Sequence, residues 1–131
     1  MNYLQLAQRL RQEMNDTGEG PAQVTNQRGR SLEYVNAVRE AWLDIQQLRP
    51  WVGKFWEGTE FSSSQLQVLD NSADTPFIPE HYHLAIVFYA MQGKSISQNA
   101  QELIVRGQQE WDKYLHLLCR DFLPVPKVGG E

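Results

Sequence analysis

His81-Tyr82-His83-Leu84-Ala85-Ile86-Val87-Phe88-Tyr89-Ala90-Met91 decides how this chain folds. Leu84, Ile86, Val87, Phe88, Ala90 and Met91 reach most of the way round a helical axis, so the segment predicts a helix buried on nearly every side. Pro79 suits its first position, Glu80 in the first turn complements the helix dipole, and Gly93 stops it. Such a helix must be covered by three neighbouring elements or by another subunit.

The cover can be sought on either side. Upstream, residues 3–14 place Leu4, Ala7, Leu10 and Met14 on one face, predicting a short helix. Asn15 to Pro21 is dense in turn formers, and the polar stretch continues through Gly29 as a long loop. Ser31 can cap a second helix that runs to about Leu48 and is stopped by Pro50. Its main stripe is Leu32, Val35, Val38, Trp42 and Ile45, widened by Tyr34, Ala37 and Ala41. Downstream, Asn99 and Glu102 have capping-box spacing ahead of the longest helix, which carries Leu103, Ile104, Gly107, Trp111, Leu118 and Phe122 and closes at Pro124. Gly107 weakens a helix by up to about 1 kcal/mol, and close helix approach is the use that offsets this.

Two segments lie outside the helical pattern. Residues 59–70 alternate in part, with Leu66 and Val68 on one side and Gln65, Gln67 and Leu69 on the other, predicting a hairpin or a single extended strand. Trp51, Phe55 and Trp56 crowd six positions after Pro50. They either close the open end of the core or anchor a partner chain, because exposed aromatics concentrate binding energy. The expected architecture is mainly α: a four-helix bundle-like domain over residues 1–123, with a small β-hairpin or extended insertion at about 58–78. An extended C-terminal tail at 124–131 follows.

The bulk chemistry narrows the function. A chain of 131 residues with a net charge of −4 holds one domain, and 41% apolar residues supply a core. Residues 57–80 contain Glu57, Glu60, Asp70, Asp74 and Glu80 with no Lys or Arg, so the excess negative charge lies in that segment. A broad basic footprint for clamping nucleic acid is missing. Cys119 stands alone, which excludes an intrachain disulfide. The opening residues turn polar too soon for a signal peptide, and the longest apolar run, Leu84 to Met91, falls far short of a membrane span.

No constellation carries chemistry. His81 and His83, two apart on a helix, point about 200° away from each other and cannot share a metal. His116 and Cys119 offer two ligands at most, and the thiol sits late in a helix, where the dipole disfavours a thiolate. Glu110 and Asp112 likewise diverge, and Gly18-Glu19-Gly20 lacks the lysine of a phosphate loop. The reading is a non-enzyme with no cofactor and no metal. A small hydrolase using His116 and Cys119, or a DNA-binding regulator, is the weaker alternative.

The order of motifs resembles the head–tail connector or adaptor proteins of tailed bacteriophages. The resemblance is carried by Tyr3 to Glu13, by Gly18-Glu19-Gly20-Pro21 with Val24 to Gly29, and by Val35 to Gln46 leading into Arg49-Pro50-Trp51. It continues in Ile78 to Ile86 and in Leu117 to Pro124. It implies a virion subunit at the neck, assembled in the host cytoplasm into a homo-oligomeric ring, usually of twelve copies in that family, beneath the portal protein. Such a ring encloses double-stranded DNA without reading its sequence and presents a surface to tail or stopper proteins. Trp51, Phe55 and Trp56 are then the expected contacts between neighbours. Leu123, Pro124, Val125, Pro126, Lys127 and Val128 form the segment expected to reach the portal. An intracellular helical protein-binding domain is the competing expectation.

Overall fold

The computed structural model describes residues 1–14, 29–51, 53–93 and 101–123. Five α-helices follow in order among them: α1 (Tyr3–Glu13), α2 (Gly29–Leu48), the single-turn α3 (Gly53–Trp56), α4 (His83–Gln92) and α5 (Gln101–Phe122). A 3-10 turn at Glu80–Tyr82 leads into α4, with Pro79 just ahead of it. No described helix is long and apolar enough to cross a membrane.

The hub is α4. His83, Ala85, Ile86, Val87, Phe88, Ala90 and Met91 are all buried, as its sequence demands. Its cover comes from within the chain, because α1, α2 and α5 each pack against it. Of the two ways to bury such a helix, the fold uses three neighbouring elements, so α4 itself needs no second subunit.

Each neighbour presents a face set by its spacing. α1 opens with a capping box: Gln5 N donates to Asn2 Oδ1 at 2.8 Å and Asn2 N donates to Gln5 Oε1 at 2.9 Å. It buries Tyr3, Leu6, Ala7, Leu10 and Glu13, a stripe that takes in Leu6 and leaves Leu4 only half-buried. Leu6 and Leu10 are four apart, as a shared face requires. Gly29, at φ +60°, turns the chain into α2 two residues ahead of Ser31. α2 buries Tyr34, Val35, Ala37, Val38, Ala41, Trp42 and Ile45 as expected, whereas Leu32 is exposed. Tyr3 Oη donates to the Val35 carbonyl at 2.7 Å, joining α1 to α2 inside the core.

The α4–α5 crossing is close. A Cβ built on Gly107 would stand 2.8 Å from Met91 Cβ and 3.0 Å from the Phe88 carbonyl oxygen. Only a glycine leaves room for backbones this near.

The β-hairpin expected at about 58–78 does not form: no β-strand occurs among the described residues, and the segment is loop. Its one piece of β pairing is an isolated bridge in which Ser62 and Gln65 exchange hydrogen bonds of 3.2 and 3.0 Å across a tight turn. The physical reason lies two residues on, where the side chain of Gln46 takes the place of a partner strand. Gln67 N donates to Gln46 Oε1 and Gln46 Nε2 donates to the Gln67 carbonyl, both at 2.9 Å. The Gln67 side chain reciprocates, accepting from Trp42 Nε1 at 2.9 Å and Phe77 N at 3.1 Å while donating to the Thr75 carbonyl at 2.9 Å. With its backbone claimed by α2, the segment has no ladder to extend. Leu69 and Ile78 then plug it into the core.

Candidate interaction surface

The aromatic stretch after Pro50 turns inward. Trp51 is 5% exposed and Phe55 2%, while Trp56 is half-buried. Phe55 is the centre of the group, stacked on Trp51 at 5.1 Å and meeting Trp56, Phe77 and Phe122 edge-on at 4.9, 5.3 and 5.4 Å. Trp51 Nε1 donates to the Ile45 carbonyl at 2.7 Å. Trp51 and Phe55 thus close the end of the core beneath α5, and of the three aromatics only Trp56 retains appreciable surface. Leu123 is half-buried at the end of α5, whereas Pro124, Val125, Pro126, Lys127 and Val128 lie outside the described residues.

The acidic segment is partly consumed by the fold. Asp74 accepts from the amides of Asp70 and Asn71 at 2.9 and 2.8 Å, and Asp70 pairs with Arg39 at 3.5 Å. Glu80 receives the Met1 amine at 3.1 Å, which holds its carboxyl below the usual range. Glu57 and Glu60 stand exposed.

The histidines and the cysteine do not converge. Among the described residues no three His, Cys, Asp or Glu side chains are grouped to hold a metal ion. His81 is exposed beside Tyr82, and His116 is exposed on α5, with Cys119 half-buried one turn further on. His83 is 3% exposed. Its Nε2 lies 2.8 Å from the Ile78 carbonyl, which can only accept, so Nε2 carries the hydrogen and Nδ1 accepts from the Met1 amine at 2.8 Å. Burial pushes the imidazole below its usual value, against the opposing pull of the Ile78 hydrogen bond.

Two features escaped the sequence reading. Glu13 is buried yet charged, held by Arg9 at 3.2 Å from its own helix and by Arg106 of α5 at 2.5 Å. Arg106 also lies over the Phe88 ring at 5.9 Å, so one guanidinium ties α1, α4 and α5 together. The spacing of Arg9 and Glu13 hinted at the first pair; nothing in sequence hinted at the second. Tyr82 Oη hydrogen-bonds Asp121, joining the entry of α4 to the end of α5.

The surface left over belongs mainly to α5. Along its 22 residues Gly107, Trp111 and Leu118 are buried. Leu103, Tyr114 and Leu117 on one flank, and Ile104 and Leu115 on the other, remain half-covered, and Val105 is exposed. On the second flank a groove of about 380 Å³ opens between α2, α4 and α5, lined by Asp44, Leu48, Arg49, Tyr89, Trp111 and Leu115 among others. Tyr89 meets Trp111 edge-on at 4.9 Å, and the Asp44 carboxylate lies near its phenol. Burial first, then the Asp44 charge, raises the Tyr89 phenol above its ordinary value. The groove offers a carboxylate, a guanidinium and apolar walls, with no nucleophile and base placed together.

Comparison of the chain with protein families, with curated proteins and with solved structures finds no match.

Proposed function

We propose that this chain is a structural, non-enzymatic assembly subunit of the head–tail connector kind, forming a ring beneath a phage portal and presenting a docking surface to tail or stopper proteins. The observation that supports this reading is the incomplete cover of α5. A helix of 22 residues buries three of them and keeps apolar side chains half-covered on both flanks. Surface of that composition suits side-by-side docking, and a heterologous contact that closes on itself yields a ring. The exposed Glu57 and Glu60 suit a rim or a channel wall that repels the DNA backbone.

Mass measurement of the purified protein with and without portal particles tests the reading. Stoichiometric, ring-sized binding to the cognate portal is expected, and Leu117→Asp on the α5 flank is expected to abolish ring closure without unfolding the subunit. Failure of the unaltered protein to bind the portal overturns the proposal. The competing reading, a helical domain that binds another protein outside any virion, is favoured by the groove beside Trp111. Genes for portal, terminase and tail proteins next to this one support the first reading, and their absence supports the second.

A further inference from the structure

The four tryptophans are not treated alike. Trp42 Nε1 donates to Gln67 Oε1 at 2.9 Å, Trp51 Nε1 to the Ile45 carbonyl at 2.7 Å, and Trp56 Nε1 to the Trp51 carbonyl at 3.3 Å. Trp111 is 5% exposed and makes its ring contact with Tyr89, yet none of the described residues accepts its N–H. A buried indole N–H ordinarily finds a partner, and one left without costs about 1–3 kcal/mol. Trp111 lines the groove between α2, α4 and α5, so an acceptor delivered there would remove that cost.

The groove also has a shape and a charge. It adjoins a narrower crevice along α2, and the two share Asp44, Tyr89 and Gly93, so together they form a cleft running between α2 and α4. A running cleft fits an extended chain better than a compact molecule. Glu40 and Asp44, four apart on α2, place two carboxylates on its α2 wall, both exposed. Leu48 and Leu115 supply apolar wall at the Trp111 end, where the exposed Arg49 adds one guanidinium against the two carboxylates.

We infer that this cleft holds an extended segment of a partner polypeptide, one carbonyl oxygen of which accepts the Trp111 Nε1 hydrogen while a neighbouring lysine or arginine pairs with Asp44. Tyr89 stands near that carboxylate and packs its ring against the indole. The inference does not depend on ring formation, and its test is made on the isolated full chain.

The indole N–H signals of the nitrogen-15-labelled protein are followed by NMR, that of Trp111 being assigned through its contacts with Tyr89. Acetyl-Leu-Arg-Leu-amide and acetyl-Leu-Glu-Leu-amide are the probes, with butylguanidinium as a cation that lacks a carbonyl. The arginine peptide is expected to shift the Trp111 signal downfield and leave that of Trp42 in place. One exposed charge pair makes the glutamate peptide weaker by about fivefold. Asp44→Asn is expected to remove the arginine peptide's advantage while preserving the dispersed spectrum. A Trp111 signal that ignores the arginine peptide, equal binding of the two peptides to the unaltered protein, or an equal shift with butylguanidinium overturns the inference.

Discussion

Replacing Gly107 by alanine tests the helix crossing on which the fold is built. On an exposed helix this change would stabilise by about 1 kcal/mol through helix propensity alone. Here the new methyl stands 2.8 Å from Met91 Cβ, 3.0 Å from the Phe88 carbonyl oxygen and 3.3 Å from the Gln92 amide nitrogen. Carbon atoms pack best at about 3.5–4.0 Å, so α5 must back away from α4 by about 0.7–1.2 Å at the crossing. None of the three atoms is the tip of a flexible side chain, and rotamer changes therefore give no relief. Overpacking of this kind costs about 1–3 kcal/mol. Displacing α5 also loosens Trp111 and Leu118, the two side chains it buries most deeply. The net expectation is a loss of about 1 kcal/mol or more and a Tm lower by at least about 3 °C, read by thermal and urea unfolding under circular dichroism. A Gly107→Ala protein more stable than the parent by the exposed-helix increment would refute the close approach.

Three further outcomes follow from named contacts. Because His83 titrates below 6.5 when folded, the folded protein binds fewer protons than the unfolded chain between that lowered value and 6.5. Stability is therefore full above about pH 6.5 and falls as the pH drops through that window; His83→Asn should flatten this part of the urea-midpoint profile, and an unchanged slope would remove His83 as its source. Gln46→Leu removes the side chain that pairs both backbone groups of Gln67, so a loss of about 2 kcal/mol and faster hydrogen exchange at the Gln67 amide are expected. Glu13→Ala releases Arg9 and Arg106, both exposed enough to be rehydrated; the expected cost is about 1–2 kcal/mol, below the range for a fully buried pair, and a loss above about 3 kcal/mol would show that the two arginines cannot reach water.

The helices were legible because their periodicity is written in the residues that bury them. Ile86, Val87, Phe88, Ala90 and Met91 admit no other arrangement, and Gly107 announces a close approach even before its neighbour is known. One reading failed and another stayed open for reasons of range. The alternation at 59–70 is the same whether its backbone meets a strand or a glutamine side chain, and Gln46 lies 21 residues from Gln67. The spacing of Trp51, Phe55 and Trp56 shows that they crowd together but not which side of the core they face. The burial of Phe55 depends on Phe77 and Phe122, which arrive from elsewhere in the chain. The groove at Trp111 was illegible for a related cause: whether an indole N–H has a partner is decided by three helices at once.

The central position of α4 has a consequence for biosynthesis. Two of its covers, α1 and α2, leave the ribosome before it, but the third begins only at Gln101, so a nascent chain has a bare α4 flank until α5 has emerged. The half-made protein is thus the species most exposed to chaperone capture or aggregation.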